Sequence, residues 1–200
     1  MTLYDIKPQF QNLLRPIVVR LSVWGITANQ ITLLAMFLSM LLGGMLMRYP
    51  NTRLFISLPL FLFFRMALNA IDGMLAREFN QQSTAGAILN EVGDLISDAA
   101  LYMTFAFQIG VSPLLVVLVV LLSWLTEFCG IITQTLTGVR NYRGPLGKSD
   151  RAFIFGGLGL VVALWPQYIF VVDSVFGVSA VLLVWTCINR SRSALEVRNA

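Results

Sequence analysis

The feature that most constrains this chain is a succession of apolar runs, most of them long enough to cross a lipid bilayer. A helix needs about 20 mostly apolar residues to traverse the hydrocarbon core. Six stretches are candidates: Ile26 to Met47, Leu54 to Leu75, Ala85 to Phe107, Pro113 to Thr135, Ala152 to Trp165 and Ile169 to Ile188. The fifth is short, and only Trp165-Pro166-Gln167 separates it from the sixth. Lipid cannot satisfy free backbone N–H and C=O groups, so the spans are expected to be helices. Charged residues make up only 12% of the chain, about half the share in a soluble domain, which excludes an ordinary soluble fold.

The expected fold is therefore an all-α integral membrane protein with six transmembrane helices. Phe10, Leu13, Leu14, Ile17, Val18 and Leu21 recur at helical spacing beside Arg15 and Arg20, which suits an N-terminal amphipathic helix lying in the interface. Residues 1–25 are read as that interfacial helix, 26–190 as one membrane domain without internal repeats, and 191–200 as a cytoplasmic tail. The N-terminus lacks the short apolar core and cleavage site of a signal peptide, so targeting is expected from the first span. Of the 14 basic residues, eleven fall on the side of the termini, Arg48 and Arg53 fall opposite, and Arg65 lies within a span. The positive-inside rule then places both termini in the cytoplasm. The net charge of +4 reflects topology and lipid headgroups rather than nucleic-acid binding.

Histidine is absent, which removes the commonest general base and metal ligand. Cys129 and Cys187 sit in apolar runs without metal-ligand spacing and read as small core residues. Polar chemistry instead concentrates in the second and third spans: Arg65, Asn69 and Asp72, then Asn90, Glu91, Asp94 and Asp98. Ionisable groups within spans are costly, so each is a candidate for function. Asn69 and Asp72 share a helix face; Asn90, Asp94 and Asp98, spaced by four, form a second stripe. At ~1.5 Å per residue, Asp72 and Asn69 lie about 8 and 12 Å inward of Arg77, and Asn90 and Asp94 about 10 and 16 Å inward of Ser83. Four oxygen-bearing side chains thus reach similar depth, with Gly86 and Gly93 permitting close helix approach. Carboxylates and amide carbonyls are the hard ligands that suit magnesium, manganese or calcium. Arg65 and Asp98, at about 18 and 22 Å, are expected to pair, or Arg65 offsets charge where a second metal would otherwise sit.

The stretch Asn69-Ala-Ile-Asp72-Gly73-Met-Leu-Ala76-Arg77, eight residues, then Gly86-Ala-Ile-Leu-Asn90-Glu-Val-Gly-Asp94 resembles the CDP-alcohol phosphatidyltransferase motif, D-x2-D-G-x2-A-R, about eight residues, G-x3-D-x3-D. Asn69 and Asn90 stand where that family has its first and third aspartates, which lowers the formal charge of the quartet from four to two. The resemblance implies a metal site of Asn69, Asp72, Asn90 and Asp94 holding one or two Mg2+ or Mn2+ ions, with Asp94 as general base. It implies transfer of a phospho-alcohol, phosphatidyl in the commonest case, from CDP-diacylglycerol or another CDP-alcohol to an acceptor hydroxyl, with release of CMP. Arg77 and Gly73 would face the donor's phosphates, and Asn29, Thr32 and Ser83 resemble positions near the cytidine diphosphate. Helix capping competes with that role for these last three. The resemblance also implies a homodimer in a bacterial inner membrane, with membrane lipids as partners and the site facing the cytoplasm.

A second basic group runs through Arg140, Arg143, Lys148 and Arg151. It reads either as a positive-inside loop or as an anion site for a phosphorylated acceptor or lipid headgroup, carried by Arg140, Lys148 and Arg151. Glu127, deep in the fourth span, reads as a hydrogen-bonded structural carboxyl, neutral in that setting, and Asp173 is expected to reach the interface. Two other functions stay open: a silent relative that binds CDP-lipid without turnover, and a cation or proton transporter, against which the lack of an inverted repeat speaks.

Overall fold

The computed structural model describes residues 3–50 and 53–198. Among these residues seven α-helices follow one another: α1 (Leu3–Val23), α2 (Ala28–Arg48), α3 (Ser57–Glu78), α4 (Thr84–Tyr102), α5 (Pro113–Thr137), α6 (Lys148–Leu164) and α7 (Phe170–Arg198). Short 3₁₀ turns cover Arg53–Ile56, Met103–Phe107 and Pro166–Tyr168, and the described residues contain no strand.

Four of these segments are long and apolar enough to cross a membrane: Ala28–Arg48, Arg53–Glu78, Pro113–Thr137 and Phe170–Arg192. The expectation of six is met only in part, for two different reasons. Helix α4 carries Glu91, Asp94 and Asp98, which dilute its apolar character, and it ends at Tyr102 in a 3₁₀ turn rather than running to Phe107. Helix α6 has 17 residues, about 26 Å of rise against a hydrocarbon core of about 30 Å. It begins at Lys148 rather than Ala152, because Asp150 Oδ2 accepts the Gly147 N–H at 2.8 Å and caps the first turn. Helix α7 runs on to Arg198, through residues read from sequence as a tail.

The chain forms two compact units, Met1–Leu42 with Leu60–Leu101, and Gly43–Pro59 with Tyr102–Ala200. In the first, Leu14 and Val18 of α1 are buried against Ala28, Ile31 and Ala35 of α2 and Leu68, Ile71 and Leu75 of α3. Leu13 and Ile17, on the other side of α1, are exposed. An Arg15–Glu78 ion pair at 2.8 Å ties α1 to the end of α3. Helix α2 starts with a reciprocal cap: the Gln30 N–H donates to Thr27 Oγ1 and the Thr27 N–H to Gln30 Oε1.

The α3–α4 turn is set by Asn80, whose φ of 52° gives the left-handed residue that ends a helix. The Gln81 N–H then reaches back to the Ala76 carbonyl at 3.0 Å, while Gln81 Oε1 accepts the Ala28 N–H at 2.7 Å. Ser83 caps α4, its Oγ accepting the Gly86 N–H at 3.0 Å. These bonds fix the starts of α2 and α4 relative to the end of α3.

The second unit is organised by α5 against α7 and by an aromatic cluster. Phe155 stacks on Phe176 with ring centroids 4.8 Å apart, Tyr102 meets Phe155 edge-on at 4.6 Å, and Phe105 packs on Phe176 at 5.4 Å. Asp173, at the start of α7, accepts the Ser112 N–H through Oδ1 at 2.9 Å, where α5 begins.

Phe176→Ala is expected to destabilise the protein by about 3–5 kcal/mol, the cost of deleting a buried aromatic. Val178→Ala, at an exposed site on the same helix, should stay within about 0.5 kcal/mol. Thermal unfolding of both variants in detergent checks the contrast.

Candidate functional site

The first unit brings the motif residues together through α2, α3 and α4. On α3, Arg65, Asn69, Asp72 and Gly73 recur at three- and four-residue spacing and so share one face. On α4, Asn90, Asp94 and Asp98 do the same. The two faces are joined by hydrogen bonds. Asn69 Nδ2 donates to Asp94 Oδ1 at 3.0 Å, and Arg65 Nη2 donates to the same oxygen at 3.1 Å. Arg65 Nη2 also reaches the Asp94 carbonyl oxygen at 3.2 Å, while Nη1 donates to Asp98 Oδ1 at 2.5 Å.

The expected Arg65–Asp98 pair is therefore present, and Asp94 joins it. Both ends of the pair are buried, Arg65 at 4% and Asp98 at 4% exposure. Pairing is what makes such burial tolerable, since removing either partner would strand a charge away from water.

Asp72 is held from α2. Thr32 Oγ1 donates to Asp72 Oδ2 at 2.9 Å, and both residues are buried. Thr32 Oγ1 also lies 3.1 Å from the Ala28 carbonyl, one turn earlier in its own helix. Capping, the alternative role for Asn29 and Thr32, belongs instead to Thr27 and Gln30, whereas Ser83 is a cap.

Glycines let α2 approach α4. A Cβ built on Gly86 would lie 2.7 Å from Asn29 Oδ1 and 2.9 Å from Ser83 Oγ, so any larger residue would displace one of these groups. Gly93 lies beneath Thr32, with room for ordinary contact at 3.4 Å. On α3 itself, Gly73 underlies the Arg77 guanidinium: a Cβ there would be 3.1 Å from both terminal nitrogens. The structure thus sets Asn29 and Ser83 against Gly86, Arg77 over Gly73, Thr32 on Asp72, and Asn69 with Arg65 on Asp94. Asn90 lies one turn before Asp94 on the same stripe of α4.

The donors of this set are hard: two carboxylates and two side-chain amides, with imidazole excluded by composition. Asp72 and Asp94 supply the negative charge, and Asn69 and Asn90 add neutral carbonyl oxygens. That chemistry fits Mg2+ or Mn2+ better than zinc or copper.

The second unit holds a different constellation, centred on Glu127 of α5. Its Oε1 pairs with Arg151 Nη2 at 3.1 Å; its Oε2 faces Arg140 Nη2 at 3.4 Å and Arg190 Nη1 at 3.5 Å. Arg151 and Arg190 also bond Thr126, through Oγ1 at 3.3 Å and the carbonyl oxygen at 2.5 Å respectively. Glu127 is thus the hub of an ion-pair cluster rather than an isolated neutral carboxyl.

Arg140 stacks over Tyr142 at 5.3 Å, and Lys148 opens α6. The loop between α5 and α6 is pinned by Thr186, whose Oγ1 accepts the Leu146 N–H at 3.2 Å. Of the three basic residues proposed as an anion site, Arg140 and Arg151 share one counter-ion, and Arg151 is fully buried. Sequence reading missed Arg190. The available signal was Glu127 itself: an ionisable side chain deep in a span requires a partner, and Arg190 ends the apolar run of α7.

Comparison with known proteins bears on both units. A family model described as CDP-alcohol phosphatidyltransferase matches residues 25–188. The inner membrane protein YnbA of Escherichia coli is 55% identical over 195 residues, which cover 98% of this chain and 97% of the relative. An uncharacterized protein of Aquifex aeolicus is 28% identical over 200 residues, covering 96% of each. Among solved structures, phosphatidylinositol phosphate synthase of Mycobacterium tuberculosis in complex with manganese and citrate superposes with a TM-score of 0.74 at 22% identity. That match covers 90% of this chain and 88% of the other. The same enzyme with CDP-DAG bound gives a TM-score of 0.74, also at 22% identity, covering 90% and 92%. At that identity the likeness establishes a shared fold.

Glu127→Gln leaves three guanidinium groups against a neutral amide. The expected cost is about 3–5 kcal/mol, as for a buried pair stripped of one partner. A lowered melting temperature in detergent checks it, and an unchanged one contradicts the hub.

Proposed function

The chain belongs to the CDP-alcohol phosphatidyltransferase family, and we propose that it moves a phospho-alcohol group from a CDP-linked donor to an acceptor hydroxyl with divalent-metal assistance. CDP-diacylglycerol is the donor we favour, which makes the transferred group phosphatidyl. The observation that carries this reading is the Asn69–Asp94 contact across α3 and α4, with Asp72 fixed from α2 by Thr32. These contacts support reading Asn69, Asp72 and Asp94, with Asn90 one turn before Asp94, as the family's metal positions, two of them now asparagine. A manganese-bound and a CDP-DAG-bound structure of an enzyme with the same fold support the choice of ion and donor.

In the proposed reaction, the acceptor oxygen bonds to the β-phosphorus as the bond from that phosphorus to the CMP oxygen breaks. CMP leaves with the electron pair, and the acceptor's hydroxyl proton passes to the Asp94 carboxylate. Asp72, Asp94, Asn69 and Asn90 would hold the ion, which when bound screens the pyrophosphate oxygens and steadies the departing CMP. Asn69 and Arg65 orient the Asp94 carboxylate by binding one of its oxygens. Arg77 offers a fork of donors to phosphate, and the missing side chain of Gly73 leaves room for its guanidinium. Asn29, Thr32 and Ser83 are assigned to the cytidine diphosphate end of the donor.

In the second unit, Arg140, Arg151 and Arg190 gather around Glu127. We assign Arg140, Lys148 and Arg151 to an anionic headgroup or phosphorylated acceptor. All six long helices after α1 are proposed to traverse the inner membrane, with the termini and the metal site on the cytoplasmic side.

Purified protein incubated with labelled CDP-diacylglycerol and a range of acceptor alcohols tests the reaction. CMP release should require Mg2+ or Mn2+, stop on chelation, and fall at least 100-fold in Asp94→Asn. Release that survives both treatments would overturn the reading; metal-independent ion flux in liposomes would point to transport. Arg77→Ala should weaken donor binding about tenfold or more with little change in melting temperature, because Arg77 is exposed. Equal loss of yield and affinity would remove Arg77 from the donor site.

A further inference from the structure

We infer that Arg65 is a built-in cation of the metal pocket, so that the pocket on α3 and α4 takes one divalent ion per chain. This rests on the metal-assisted reading above and specifies its stoichiometry.

Arg65 lies one turn before Asn69 on the polar face of α3, and its guanidinium spans the α4 stripe. One terminal nitrogen bonds Asp94 Oδ1, the other Asp98 Oδ1. Asp94 Oδ1 also accepts the Asn69 amide. An oxygen already receiving two donors presents little further lone-pair density to a metal. Two-metal phosphoryl-transfer sites set their ions about 3.5–4 Å apart and stabilise the attacking and leaving oxygens together. Here one side of the Asp94 carboxylate faces a guanidinium instead.

Arg65 is a positioning residue in this scheme, acting through Asp94 and on ion number rather than on the reacting atoms.

The test is to titrate purified protein in detergent with MnCl2 and count bound ions by the loss of the free Mn2+ electron-paramagnetic-resonance signal. The wild type should bind one ion per chain. Asn69→Asp with Asn90→Asp should bind one ion at least tenfold more tightly, because Arg65 still fills its place. Adding Arg65→Gln with Asp98→Asn removes the buried pair together and should raise the count to two.

A count of two in the wild type, or in the double variant with Arg65 intact, overturns the inference while leaving metal assistance standing. So does a count of one in the quadruple variant when it melts in a single transition. If that variant does not fold, the double-variant count decides. A wild type that binds no ion overturns the metal-assisted reading, and this inference with it.

Discussion

The site depends on one ion-pair network, Arg65 between Asp94 and Asp98, in which Arg65 and Asp98 are buried and Asp94 is partly exposed. A lone charge at this position would be untenable, so each of the three fixes the others' placement. The network ties α3 to α4 at the depth of the motif, and Asn69 adds a neutral bond to the same Asp94 oxygen. What the proposed reaction would need from Asp94, a carboxylate held in one orientation, follows from the same contacts that balance its charge.

Close approach supplies the rest. Without a side chain at Gly86, α2 brings Asn29 against α4, and Thr32 reaches across to Asp72 of α3. In membranes small residues let helices approach, because burial of apolar surface no longer drives association. Here the same residues give the polar groups a common space. The second unit solves a comparable problem with opposite sign: Glu127 gathers Arg140, Arg151 and Arg190.

Much of this was legible in the sequence because the constraints were local. Spacing of three and four placed Asn69 with Asp72 and Asn90 with Asp94, and rise per residue matched Arg65 to Asp98. The extension of Arg65 to Asp94 was not legible, since depth along an axis omits the reach of a long, forked side chain. Hydrophobic runs located the helices, while α4, whose apolar run is interrupted by Glu91, Asp94 and Asp98, is not among the four segments long and apolar enough to cross a membrane. Spacing alone left capping and a donor role competing for Asn29, Thr32 and Ser83; Thr27 and Gln30 cap α2, and Ser83 caps α4. The surroundings of Glu127 required knowing that a loop and the end of α7 return to α5, a tertiary fact that no local pattern encodes.

The central claim is a single divalent ion held between α3 and α4 beside an arginine-anchored Asp94. Anomalous scattering from a manganese-loaded crystal examines it directly. The account predicts one manganese peak per chain, with oxygens of Asp72 and Asp94 at about 2.0–2.4 Å and Arg65 still bound to Asp94 and Asp98. No peak among these residues, or two peaks with the Arg65 guanidinium displaced, would contradict it.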